Sequence, residues 1–166
     1  EKMALHLALL PRVEIWESDQ MGSMDYQAAR LLAHAEEARS RGALPCAILA
    51  AGEPTLALPA AAQAPESAQG GRAAHFALRF MLEAERKGLS PYVLLSGASD
   101  GSDGSLDAAG AICDSALAAR SRKMGERPER YLENFDSHSY FRAAGSLLRT
   151  GPTNTNVSDV RALILW

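Results

Sequence analysis

A chain of 166 residues with 47% hydrophobic and 22% charged residues is large enough for one domain with a proper core. Its net charge of -3, with no basic patch or interleaved aromatic stripe, argues against an electrostatic nucleic-acid binder. Only two cysteines occur, and neither has a second Cys or His at zinc-ligand spacing; Cys46 and Cys113 read as reduced, buried thiols in a cytoplasmic setting.

The opening apolar run, residues 3–10, is too short to span a bilayer and ends at Pro11, so no membrane partner is expected. It has the length of a signal-peptide core but lacks a small-residue cleavage site, and a chain opening on Glu1 is expected to be a fragment or a processed product. Residues 12–17 alternate as a strand. Asp25 is placed to cap a helix reaching Arg41, with Ala28, Leu31, Leu32, Ala35 and Ala38 as its apolar stripe and Gly42 as its stop. Residues 44–50 form a continuous apolar run, the pattern of a strand buried on both faces, entered through Pro45. Strand, helix and strand in this order predict a parallel pair with a right-handed crossover.

A turn follows at Gly52-Glu53-Pro54, then a further short strand at 55–58 and an alanine-rich loop at 59–69. Gly70-Gly71-Arg72 opens a helix whose buried face is Ala73, Phe76, Ala77, Phe80, Met81 and Ala84, stopped by Gly88. Glycines before a helix leave backbone N–H groups free for an anion, and an arginine adds a bidentate donor; flexible linkage is the competing reading.

Pro91 opens the apolar strand 92–95, which breaks into the acidic loop 96–110 carrying Asp100, Asp103 and Asp107. Three carboxylates this close need a cation, a basic side chain or a helix N-terminus to offset them. Mg²⁺ suits such a loop, since it takes one or two carboxylates and completes its octahedron with water and phosphate. A calcium loop fits less well, because Ala108 stands where the sharp turn needs glycine. The alternative is a glycine-rich turn with Asp107 capping a short helix. Helices are predicted at 116–123, after Pro128, and at 137–144 behind Asp136, then closing strands at 147–149 and 160–165 with a Thr- and Asn-rich turn between them. No histidine has the neighbours of a catalytic arrangement, and no dinucleotide fingerprint or Walker A loop occurs.

Four pieces in order, Gly52-Glu53-Pro54-Thr55, Gly70-Gly71-Arg72, the loop 96–110, and 134–161 with Asp136-Ser137-His138 and 150–157, resemble the C-terminal MOFRL domain of the glycerate 2-kinase family, some members of which are labelled hydroxypyruvate reductases. The resemblance implies an α/β fold, three-layered with a mixed, mostly parallel sheet, for a single domain 1–166 in which 1–43 is a leading β-α unit and 44–166 the family core. It implies phosphate transfer from ATP to D-glycerate with Mg²⁺, in a cleft shared with an N-terminal glycerate kinase domain. On this resemblance Arg72 is catalytic, Glu53, Gly70, Gly71, Thr153 and Asn156 bind substrate or phosphate, and Asp100 and Asp103 hold the metal. Ala73, Ala74 and His75 stand where the family has Asn, Gln and Glu, and Ala98 and Ser99 replace Gly and Thr. A noncatalytic binding or assembly domain retaining the fold is therefore the alternative; a reductase is the weakest reading.

Overall fold

The structure, a computed structural model, describes residues 12–17, 22–57, 70–104 and 107–166. In chain order the elements are β1 (Val13–Glu17), α1 (Met24–Ser40), β2 (Cys46–Ala51), α2 (Arg72–Lys87), β3 (Tyr92–Ala98), β4 (Gly110–Asp114), α3 (Leu117–Lys123), α4 (Pro128–Glu133), α5 (Ser137–Ala143), β5 (Leu147–Leu148) and β6 (Asp159–Leu165). The strands form one mixed sheet in the order β1-β2-β6-β3-β4-β5.

The β1-α1-β2 unit pairs parallel as the strand-helix-strand order predicts. The remaining neighbours are antiparallel, which corrects the expectation of a mostly parallel sheet. The reason lies at the chain's end. The crossover through α2 does bring β3 parallel to β2, but one position away, and β6 enters the gap antiparallel to both. The rim at the C-terminal ends of β1, β2 and β3 therefore also receives the start of β6. β3, the strand that leads into the acidic loop, lies inside the sheet, between β6 and β4.

One face of the sheet is packed. Ile48, Leu94, Cys113, Leu163 and Leu165 join Leu31 and Leu32 of α1, Phe76, Phe80 and Met81 of α2, and Tyr140 and Phe141 of α5 in a single buried cluster. Phe80 meets the edge of Tyr92 at 5.4 Å between ring centroids. The alternate positions Leu49, Val93, Leu95 and Ile164 are only half-buried, and the described helices do not supply a layer on that side.

Local chemistry shifts several boundaries. Ser23, not Asp25, caps α1, its Oγ accepting the Tyr26 N–H at 3.3 Å, while Asp25 sits in the first turn and pairs with Arg79 at 3.1 Å. Gly88 ends α2 at φ 71, where glycine carries no Cβ penalty. Thr55 forms an isolated bridge with Ser23 instead of a strand; Leu58 and the alanine-rich loop 59–69 lie outside the described residues, as does the run 3–10. β4 was not foreseen, because Ala109-Gly110-Ala111 carries little strand propensity and pairing with β3 supplies what propensity does not.

Candidate functional site

The shared rim gathers the turn after β2, the N-terminus of α2, the loop after β3 and the start of β6. Together they line a cleft of about 400 Å³ that includes Glu53, Gly70, Gly71, Arg72, Asp100, Asp103, Asn156 and Asp159. Arg72 and the Asp100 loop thus face one another across the same cavity, although they lie on different elements. Thr153 is not part of its lining.

Arg72 is half-exposed and flanked by carboxylates, with Nη1 at 3.3 Å from Glu53 and Nε at 3.6 Å from Asp159. Asp159 is 2% exposed. Burial pushes its carboxyl up to about 6, against the opposing pull of Arg72 and Arg161. Arg161 is itself buried, its guanidinium 4.2 Å above the Phe76 ring, and donates from Nη2 to the Gly52 carbonyl at 3.3 Å. Burial lowers Arg161 to about 10, a value at which it remains charged at neutral pH.

Asp103 has a structural task. Its two carboxylate oxygens accept the Ala73 N–H at 2.9 Å and the Ala74 N–H at 2.7 Å, so it caps α2 from 30 residues away. Burial raises its pKa, and these two N–H bonds together with Arg72 and His138 pull in the other direction. The helix N-terminus that glycines were expected to leave open to an anion is thereby met by the protein's own carboxylate. Gly70 and Gly71 are needed for close approach: a Cβ on Gly70 would lie 2.3 Å from the Phe135 carbonyl oxygen, and one on Gly71 would lie 2.0 Å from Asp103 Cγ.

The residues present do not fit a metal pair of Asp100 and Asp103. Both oxygens of Asp103 are engaged by α2, Asp100 Oδ1 accepts the Ser102 N–H at 2.9 Å, and among the described residues no three His, Cys, Asp or Glu side chains are grouped to hold a metal ion. Asp107 caps no helix. Its carboxylate meets His138 Nε2 at 3.0 Å and Arg149 Nε at 3.2 Å, and these hydrogen bonds, His138 first, lower its pKa. The acidic loop is thus offset by a helix N-terminus and by basic side chains, two of the three devices its spacing called for. The charged cleft residue absent from the predicted site is Asp159; His138, whose sequence neighbours pointed to no catalytic arrangement, is buried with Ser137 on α5 and meets Asp107 from there.

The Thr- and Asn-rich turn holds the loop in place. Thr153 donates its backbone N–H to the Asp100 carbonyl at 3.1 Å and its hydroxyl to the Ser99 carbonyl, while Ser99 Oγ accepts the Val157 N–H at 2.8 Å. Serine at position 99 therefore retains the hydroxyl that threonine would bring. Ala73, Ala74 and His75 are buried in the first turn of α2, and His75 stacks on Phe135 with centroids 5.3 Å apart. Burial lowers His75 to about 4. None of the three lines the cleft, so the departures at these positions change the packing beneath α2 and leave the cavity wall itself to its neighbours.

The fold and the cleft define an α/β domain that collects one arginine and several carboxylates at a single sheet rim. The chain belongs to the MOFRL family, whose model matches residues 46–159. It is 44% identical over 91 residues to a Thermotoga maritima D-glycerate 2-kinase, covering 55% of this chain and 21% of the relative. With human glycerate kinase it shares 38% over 139 residues, covering 81% of this chain and 25% of the relative. An Agrobacterium vitis relative with the provisional name of a hydroxypyruvate reductase is 40% identical over 131 residues, 77% of this chain and 28% of its own. In structure it is similar to Thermotoga maritima glycerate kinase, with a TM-score of 0.80 and 30% identity over 93% of this chain and 36% of that one. The chain thus spans between about a fifth and a third of the length of these relatives. No helix among the described residues is long and apolar enough to cross a membrane.

Proposed function

We propose that this chain is the C-terminal domain of a glycerate kinase, a single domain over 1–166 with its family core at 44–166, which acts with an N-terminal domain to transfer phosphate from ATP to D-glycerate. The observation that carries the reading is the composition of the cleft: Arg72 faces Glu53, Asp100, Asp103 and Asp159. Such a wall repels phosphate unless further positive charge meets it from the opposite side, which is what a two-walled site supplies. Arg72 then stabilises the transferring phosphoryl group, Glu53 and Asn156 line the pocket, and Thr153 acts through the loop it pins. Asp100 is the cleft carboxylate engaged neither by α2 nor by Arg72, and is the residue to meet Mg²⁺ carried on the nucleotide. The setting is cytoplasmic, in keeping with two buried free thiols.

The buried alanines at 73 and 74 favour a second reading, a noncatalytic binding domain that keeps the fold. The two are separated by following ADP release from ATP, Mg²⁺ and D-glycerate. The chain alone is expected to show no turnover; joined behind the N-terminal domain of a relative it is expected to turn over, and Arg72→Ala abolishes that activity. Sustained turnover by the chain alone, lost in Arg72→Ala, overturns the two-wall reading. Inactivity of the joined protein with correct folding favours the noncatalytic domain.

A further inference from the structure

We infer that Asp159 is the positioning residue of Arg72, holding its guanidinium toward the cleft, and that Arg161 is the buried countercharge which keeps that carboxylate in place. The role in phosphate transfer rests on the proposed function; the positioning itself does not. Arg72 has two carboxylate neighbours of different strength. Glu53 is 43% exposed in its side chain, so water and salt screen its 3.3 Å contact, whereas the Asp159 side chain is 3% exposed and acts through a low dielectric.

The backbone gives Asp159 the rigidity a positioning group needs. It opens β6 opposite Ala98, and its carbonyl accepts the Gly52 N–H at 3.0 Å, so it is tied to both neighbouring segments of the rim. Its Oδ2 lies between the two arginines, 3.6 Å from Arg72 Nε and 3.9 Å from Arg161 Nη2, with no hydrogen bond of its own. Arg161 is anchored from behind by the Phe76 ring and the Gly52 carbonyl, while its Nε and Nη1 have no hydrogen-bond partner. A buried arginine left this short of hydrogen bonds is poor design for stability, and its remaining ionic contact is the carboxylate that faces Arg72.

The test is nuclear magnetic resonance of the arginine Nε–H groups in the isotope-labelled chain, with no nucleotide or glycerate present. The Arg72 signal, identified by its loss in Arg72→Lys, is expected to be motionally restricted in the unmodified chain. Asp159→Asn is expected to raise its exchange with water on the order of tenfold, with backbone amide dispersion and the Arg161 signal retained. Glu53→Gln is expected to change it by less than about threefold. A mobile Arg72 in the unmodified chain, or a larger effect from Glu53→Gln than from Asp159→Asn, overturns the proposal. Should Asp159→Asn fail to fold, the unmodified chain and Glu53→Gln still decide it. Because no ligand is used, a failure of the phosphate-transfer reading leaves this result standing, and the reverse.

Discussion

Gly71 and Asp103 are packed so closely that a single methyl group on the glycine would lie 2.0 Å from the carboxylate carbon. The contact joins the entrance of α2 to the acidic loop. The carboxylate reaches the free N–H groups of the helix only because nothing but hydrogen stands in its way.

Gly71→Ala is therefore expected to destabilise the fold by about 1–3 kcal/mol, the range for forcing an extra carbon into a packed site. Asp103→Ala is expected to cost about 1–2 kcal/mol through the lost cap. The two effects should be strongly non-additive, since removing the carboxylate makes room for the methyl group. Urea unfolding of both single variants and the double variant measures this; simple additivity would contradict the assigned contact.

Asp159 makes stability depend on pH. Its carboxyl titrates near 6 in the folded chain against 3.8 unfolded, so the native state holds the extra proton. That contribution is fully present below the unfolded value and is lost as pH rises through about 6. Relative to Asp159→Asn, the unmodified chain should lose roughly 2 kcal/mol between pH 4 and pH 7. Denaturant midpoints of the pair across that window check the sign, and a constant difference would count against it.

Phe76 carries both core packing and the face on which Arg161 rests. Phe76→Ala is expected to cost about 3–5 kcal/mol. Phe76→Leu keeps most of the volume but removes the ring, and should cost on the order of 1 kcal/mol through the lost contact with Arg161, as Phe80→Leu should through its lost edge contact with Tyr92. Thermal unfolding of the three variants makes the comparison.

Ser99 ties the Thr- and Asn-rich turn to the loop after β3 through its bond from the Val157 N–H. Ser99→Ala should release that amide and raise its hydrogen exchange about fivefold, the loss of roughly 1 kcal/mol of hydrogen bonding. Ser99→Thr, which keeps the hydroxyl, should leave exchange near the unmodified rate.

The sequence by itself determined α1, α2 and β3 and, apart from Asp159, the charged residues of the rim. Apolar periodicity set α1 and α2, glycines at 42 and 88 marked where they stop, and the break from Leu95 into glycine and aspartate announced a strand delivering polar groups. These signals are legible because they depend on neighbours three or four residues apart. Tertiary structure alone decided what the polar groups meet. Asp103 became a helix cap because α2 starts beside it, Asp107 paired with His138 and Arg149 from distant segments, and Asp159 reached Arg72 because the last strand inserts between β2 and β3. A carboxylate's role follows from the charge and the N–H groups within a few ångströms of it, and the contacts just named reach residues 29 to 87 positions away.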